Sequence, residues 1–260
     1  MSTDTYNKVT HCIFDMDGLL LGKHRNCDKA EISLRLFDST TVRRNSFFFT
    51  DTEYLYTKAF NRITNRYGKE FTWEHKAQIM GFKTGDVAAY IIEALELPLT
   101  PEEFKQEIVG VYRELFPHSN PMPGAVRLLR HLKENNIPIA LATGSDRENY
   151  ELKTRRWQDL FELFHHKVLG GSDPEVAHGK PEPDIFLTAA KRFPDNPDPS
   201  KCLVFEDAPN GVQAALNAGM QVVMVPDPML PKRYTKEATL ILDSLESFQP
   251  EKFGLPPYVT

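Results

Sequence analysis

Short apolar runs separated by longer stretches of helical spacing organise this chain. Val9 to Phe14, Ile137 to Ala142, Lys167 to Leu169, Cys202 to Phe205 and Gln221 to Val225 have the length and side-chain content of strands. They are apolar almost throughout rather than alternating, which marks strands covered on both faces, as in a parallel sheet between helices. The predicted fold class is therefore α/β, with a doubly wound, parallel-sheet core of the Rossmann-like kind. Between Asp51 and Asn120 the strand signal stops, and Leu55, Ala59, Ile63 and then Val87, Tyr90, Ile91, Leu95 recur at helical intervals. This reads as a small helical domain inserted into the sheet domain. Pro121-Met122-Pro123-Gly124 marks its exit as a stiff turn or hinge before a helix from Ala125 to Lys133. The expected division is a core made of residues 1–21 and 122–260, with a helical insert at 51–121.

The strongest strand candidates end in polar clusters: Asp15-Met16-Asp17-Gly18, Thr143-Gly144-Ser145 and Glu206-Asp207. In open α/β sheets the ligand crevice lies outside the carboxyl ends of the strands, so these clusters are expected to converge on one site. Singly, each has an ordinary structural reading. Asp-x-Asp-Gly can be a turn, Glu-Asp a helix cap, and Lys180-Pro181 a solvated residue before a helix start.

Taken in order, Asp15-x-Asp17-Gly18, Thr143 after a strand, Lys180-Pro181 opening a helix and Glu206-Asp207 after another strand resemble the haloacid dehalogenase-like superfamily of aspartate-nucleophile phosphatases and phosphomutases, with a helical cap inserted after the first motif. The resemblance implies Asp15 as nucleophile, forming an aspartyl phosphate, and Asp17 as acid and base toward the leaving group and the hydrolytic water. It further implies that Thr143, Gly144 and Lys180 hold the phosphate. Mg²⁺ would be held by the Asp15 and Asp207 carboxylates and the Asp17 main-chain carbonyl, with Glu206 supporting that shell. The phrases Thr10 to Leu21, His178 to Leu187, Cys202 to Val212, Gln221 to Asp227 and Phe253 to Pro256 are most similar to the pseudouridine-5′-phosphatase branch. This implies hydrolysis of a small phosphorylated metabolite, pseudouridine 5′-phosphate first. A phosphosugar mutase, which uses the same nucleophile, is the alternative. Caps in this superfamily carry specificity determinants, which puts the polar loop Gly81-Phe82-Lys83-Thr84 forward, with Lys83 and Thr84 as candidate substrate contacts.

The formal charge is -5, with 31 basic and 36 acidic residues and no basic stripe, so a nucleic acid polymer is not an expected partner. With no apolar run of about 18 residues and no signal-peptide pattern at Met1-Ser2-Thr3-Asp4, the expectation is a cytoplasmic protein, not membrane-bound, and monomeric. Cys12, Cys27 and Cys202 form no CxxC pair and read as reduced, structural thiols. His165-His166 and His178 lack metal-ligand spacing and read as core or solvated residues, and Trp73 and Trp157 as packing residues. Asn210-Gly211 reads as a turn before a helix that stops at Gly219.

The stretch from Gly22 to Thr50 fits none of this. It is longer than ordinary loops in compact domains and has weak periodicity. In the superfamily branch it resembles, the first motif runs straight on into Asp-Thr-Glu, which appears here only at Asp51-Thr52-Glu53. Gly22-Lys23 can be encoded by a splice-donor-like string, and Phe47-Phe48-Phe49-Thr50 by an acceptor-like one. The segment is therefore expected to be a retained intron or gene-model error, the alternative being a lineage-specific loop. A catalytically impaired splice product acting as a binding protein is the corresponding functional alternative.

Overall fold

The computed structural model describes residues 6–22, 52–79, 84–228 and 230–259. Strand β1 (His11–Phe14) is followed by a tight turn and a two-residue strand β2 (Leu21–Gly22). Helices α1 (Thr52–Thr64), α2 (Trp73–Ile79), α3 (Thr84–Leu95) and α4 (Pro101–Leu115) come next, and β3 (Asn120–Pro121) returns the chain to the core. Then α5 (Ala125–Glu134), β4 (Ile139–Thr143), α6 (Arg147–Thr154), α7 (Gln158–Phe161), β5 (His166–Leu169), α8 (Asp184–Lys191), β6 (Cys202–Glu206), α9 (Pro209–Asn217), β7 (Gln221–Met224) and β8 (Leu240–Ile241) complete the order. The sheet runs β5-β4-β1-β6-β7-β8, and every pairing in it is parallel.

Period-two geometry sorts the buried residues of each strand between two cores. Cys12, Phe14, Ile139, Leu141, Leu203, Phe205 and Val223 face one cluster with α5, while Ile13, Ala140, Ala142, Val204, Val222 and Met224 face the other with α8 and α9. This double coverage is why the strands read as continuous apolar runs. A third cluster joins Leu55, Ala59, Phe60, Ile63, Phe71, Ile91, Phe104, Ile108 and Tyr112, so the inserted helices have a core of their own. Helix α4 opens on a capping box: the Thr100 hydroxyl accepts from the Glu103 amide, and the Glu103 carboxylate accepts from the Thr100 amide.

Several boundaries differ from the sequence reading. Ile137 lies in the connection after α5 and not in the strand: its amide closes the helix end by donating to Leu132 O, Asn136 turns left-handed at φ 56, and β4 starts at Ile139. Lys180-Pro181 does not open a helix. Lys180 lies in a loop, and α8 starts at Asp184. Asn210-Gly211 is not a turn; both residues sit inside α9, whose first position is Pro209, where a missing amide hydrogen costs nothing. Gly219, past the helix end with φ 76, is the expected stop.

The ribbon of β2 and β3 pairs the outgoing and returning chains, Leu21 with Pro121 and Gly22 with Asn120, and Met122 N donates to Leu20 O. Gly22 is thus part of this ribbon, while the rest of the anomalous stretch, 23–50, lies outside the described residues. Cys12 and Cys202 are buried free thiols, and burial pushes both above the usual thiol range, with Cys202 at about 12. Cys27 also lies outside the described residues. Among these residues no helix is long and apolar enough to cross a membrane.

Candidate active site

Asp15 follows β1 directly, and its amide donates to Phe205 O, so the ladder with β6 fixes its backbone. The chain then turns sharply: Leu20 N and Leu21 N both donate to Met16 O, and Gly18 takes φ 77, a conformation open to glycine. The turn lifts the Asp17 carboxylate above the strand ends. On the neighbouring strand, Glu206 closes β6 and Asp207 follows; Asp15 and Asp207 are both buried at 6% exposure. The expected convergence of strand-end clusters is what the fold produces.

Lys180 spans the centre. Its ammonium donates to Asp15 Oδ1 at 2.6 Å, to Glu206 Oε1 at 2.5 Å and to Ala142 O at 3.3 Å, which uses the three N–H groups of a lysine. Burial alone would depress the Lys180 ammonium, but the Asp15 and Glu206 charges outweigh it and hold it above the usual lysine range. Asp15 is displaced upward, first by burial and then by the charges of Glu206 and Asp17, against the pull of Lys180. An ionised Asp15 depends on positive charge beside it. Glu206 also anchors the backbone: its Oε2 accepts from the amides of Asp207 and Ala208 at 3.0 and 3.2 Å, at the start of α9. Gly211 leaves room for it, since a Cβ there would stand 2.0 Å from the Glu206 carboxyl.

Thr143, at the end of β4, is buried, and its hydroxyl accepts from the Ser145 amide at 3.1 Å, shaping the Thr143-Gly144-Ser145 loop. Ser145 Oγ then donates to Asp17 Oδ2 at 2.9 Å. Behind Asp17 stands Lys153, which the sequence reading missed. It donates to Asp17 Oδ2 at 2.8 Å, to Ser145 Oγ at 2.9 Å and to the Tyr56 hydroxyl of α1 at 2.8 Å. The available signal was a lysine between Tyr150 and Trp157 at helical spacing, a charge on a buried stripe.

Asp15, Asp17, Thr143, Gly144, Lys180, Glu206 and Asp207 all line one cavity of about 680 Å³. Its opposite wall comes from the insert: Tyr56 and Phe60 of α1, Phe71 of the connection to α2, Lys76 of α2 and Tyr112 of α4. The insert is also tied to the core at its edges, by Arg113 to Glu148 (2.7 Å), Lys76 to Asp227 (3.7 Å) and Trp157 Nε1 donating to Ser119 O (2.9 Å). Of the expected specificity loop, Lys83 lies outside the described residues and Thr84 is the first residue of α3.

The haloacid dehalogenase-like hydrolase family model matches residues 9–219. The chain belongs to that family. It is an enzyme, and its named relatives are phosphatases. A Drosophila melanogaster protein named "probable pseudouridine-5′-phosphatase" is 48% identical over 258 residues, covering 99% of each chain. The (DL)-glycerol-3-phosphatase 2 of Arabidopsis thaliana is 46% identical over 253 residues, covering 96% of this chain and 93% of its own. In fold, the chain matches the crystal structure of a beta-phosphoglucomutase from Clostridium difficile with a TM-score of 0.66 at 22% identity, over 94% of this chain and 97% of the other. The parallel sheet with its inserted helical cap is the fold of this family.

Members of the family generally use a divalent metal. The donor chemistry here fits one. Four carboxylates, Asp15, Asp17, Glu206 and Asp207, stand against the ammonium groups of Lys180 and Lys153, leaving an excess of negative charge at the strand ends. No group of three metal-capable side chains occurs among the described residues. A set of two carboxylates and one main-chain carbonyl does not need a third; a small hard cation keeps several waters and shares the substrate phosphate.

Proposed function

We propose that this enzyme hydrolyses the phosphomonoester of a small metabolite through an aspartyl-phosphate intermediate on Asp15, with pseudouridine 5′-phosphate as the first substrate to test. The observation that supports this best is the Lys180 ammonium bridging Asp15 and Glu206 beside Asp207, all at adjacent strand ends in one cavity. An Asp15 oxygen forms a bond to phosphorus as the ester P–O bond breaks. Asp17 gives its proton to the departing oxygen. In the second half, Asp17 takes a proton from water, the water oxygen bonds to phosphorus, and the Asp15–phosphorus bond breaks to release phosphate. Lys180 and the amides of the Thr143-Gly144-Ser145 loop meet the charge on the phosphate oxygens.

Mg²⁺, held by Asp15, Asp207 and the Asp17 carbonyl, would neutralise phosphate oxygens when bound. The aromatic wall of Tyr56, Phe60, Phe71 and Tyr112 favours a ligand carrying a planar base over bare glycerol phosphate. The inserted helices supply the wall of the cavity that faces the strand ends, where they can contact the group that carries the phosphate.

The test is phosphate release from pseudouridine 5′-phosphate, glycerol 3-phosphate and other monophosphates with Mg²⁺, compared with Asp15→Asn. Release by the wild type and its abolition in the variant are expected. Equal release by the two sinks the nucleophile assignment. Conversion of glucose 1-phosphate to glucose 6-phosphate without release of phosphate would replace hydrolysis by the mutase reading, and no turnover of any ester would favour an impaired, ligand-binding product.

A further inference from the structure

We infer that Lys153 is a positioning residue that aims the acid–base carboxylate of Asp17 and couples its direction to the inserted helices through Tyr56. The inference rests on the phosphatase reading. It starts from where Lys153 lies: on α6, outside the cavity lining, with its side chain wholly inaccessible. All three N–H groups of its ammonium are committed, two within the core to Asp17 and Ser145, and one across the seam to the Tyr56 hydroxyl. The ammonium also stands 4.7 Å from the ring centres of both Tyr56 and Phe116.

Stability does not explain a buried charge in this place. Replacing a buried ion pair by apolar groups of similar volume is often neutral or stabilising, because the pair must first be desolvated. Direction is what such a pair supplies. Asp17 sits in the turn after β1, bridged to Leu21 and outside the ladders of the main sheet, and its carboxylate is reached by Ser145 from the β4–α6 connection and by Lys153 from α6. Ser145 donates to Asp17 and accepts from Lys153, so the three groups form a closed triangle. Tyr56 belongs to α1 of the insert and also lines the cavity. A displacement of α1 that withdraws the Tyr56 hydroxyl strips Lys153 of one acceptor and loosens the triangle. The acid is then correctly aimed only when the insert is seated.

Leaving-group chemistry gives the test its discrimination. An alkyl phosphomonoester needs its departing oxygen protonated, whereas p-nitrophenolate leaves readily without an acid. The experiment measures kcat/KM for wild type, Lys153→Met, Tyr56→Phe and the double variant. Two substrates are used: p-nitrophenyl phosphate, and whichever of pseudouridine 5′-phosphate and glycerol 3-phosphate the wild type turns over faster. Lys153→Met is expected to lower kcat/KM for the alkyl ester by about 10²-fold, the effect of misplacing a reacting group by ~1 Å, and for p-nitrophenyl phosphate by less than about threefold. Tyr56→Phe is expected to show the same selectivity at about tenfold or less, and the double variant to be no worse than Lys153→Met, as for groups acting as one unit. Equal losses on both substrates, full additivity, or wild-type activity in Lys153→Met would each overturn the inference. If Lys153→Met does not fold, Tyr56→Phe decides by the same ratio of losses. Asp15→Asn is run alongside: activity retained there means the phosphatase reading itself has failed, whereas an inert Asp15→Asn with an unimpaired Lys153→Met refutes the Lys153 role alone.

Discussion

Gly211→Ala adds one methyl group directly behind the site, and the structure says where it goes. The new Cβ would lie 2.0 Å from the Glu206 carboxyl, far inside contact distance. Glu206 has no empty direction to retreat into, because it is 1% exposed, with Oε1 on Lys180 and Oε2 on the Asp207 and Ala208 amides. Alanine is the better helix former by about 1 kcal/mol, so an unconstrained site in α9 would gain stability. Against that, overpacking costs about 1–3 kcal/mol, and each charge-assisted hydrogen bond lost costs about 1.5–3 kcal/mol. The balance is a loss of about 2–4 kcal/mol, and at about 2–4 °C per kcal/mol for a chain of this size the melting temperature falls by ~5–15 °C. Lys180, deprived of one carboxylate, is no longer fixed over Asp15, and kcat is expected to fall about 10²-fold. Thermal and urea unfolding, together with phosphate release at saturating substrate, measure both effects. A variant as stable and as active as wild type refutes the close approach; one that melts early yet turns over normally refutes the link from Glu206 through Lys180 to the nucleophile.

Lys180→Met leaves the buried carboxylates of Asp15 and Glu206 uncompensated; urea denaturation at neutral pH in chelator is expected to show a loss of about 3–5 kcal/mol, and wild-type stability would contradict the bridge. His11 and His166 are both held below the usual histidine range, chiefly by burial. The unfolded chain then binds more protons than the folded one just below pH ~6.5, so their contribution is complete above that pH and is lost as pH falls through the depressed folded values. Urea unfolding between pH 8 and 5 should show this decline and a flatter one in His11→Gln/His166→Gln; an unchanged slope in the double variant would exclude these groups. Removing Gly22 to Thr50 joins Leu21 to Asp51, which then takes the place opposite Asn120 in the ribbon, and phosphate release is expected to rise. Equal release by the two chains would refute the reading of that segment as foreign to the hinge, and sequencing transcripts across the junction tests its origin directly.

The sheet was legible because double coverage leaves a plain mark: Cys12 to Phe14, Ala140 to Ala142 and Cys202 to Phe205 are apolar on both faces. The polar groups at their ends were legible for a related reason, since a charge placed after such a run has few structural excuses. Glu206 is instructive: it does not cap α9, whose first position has no side-chain cap, but its carboxylate holds the Asp207 and Ala208 amides ahead of that helix and holds Lys180 as well. What stayed hidden depends on contacts between distant segments. Lys153 meets Asp17 across 136 positions and Tyr56 across 97, and no local pattern reports such a meeting. The β2–β3 ribbon was invisible because two residues per strand carry no periodicity. Gly211 looked like a turn because glycine usually is one, and only the neighbouring carboxylate explains a glycine in the first turn of a helix.

The ribbon has a consequence for how this protein can change. By pairing Gly22 with Asn120, it sets the chain leaving the core beside the chain returning to it, so the insert begins and ends, on the core side, at one two-stranded ribbon. Segments whose ends lie close together can be exchanged, lengthened or excised while the host sheet keeps its registry. The aromatic wall of the cavity rides on that insert, whereas Asp15, the bridging Lys180 and the other strand-end carboxylates stay behind in the host. Lys153 and Tyr56 then form a polar joint behind the cavity that a transplanted cassette would have to recreate, and a library of grafted caps scored for activity should retain a hydroxyl at the Tyr56 position.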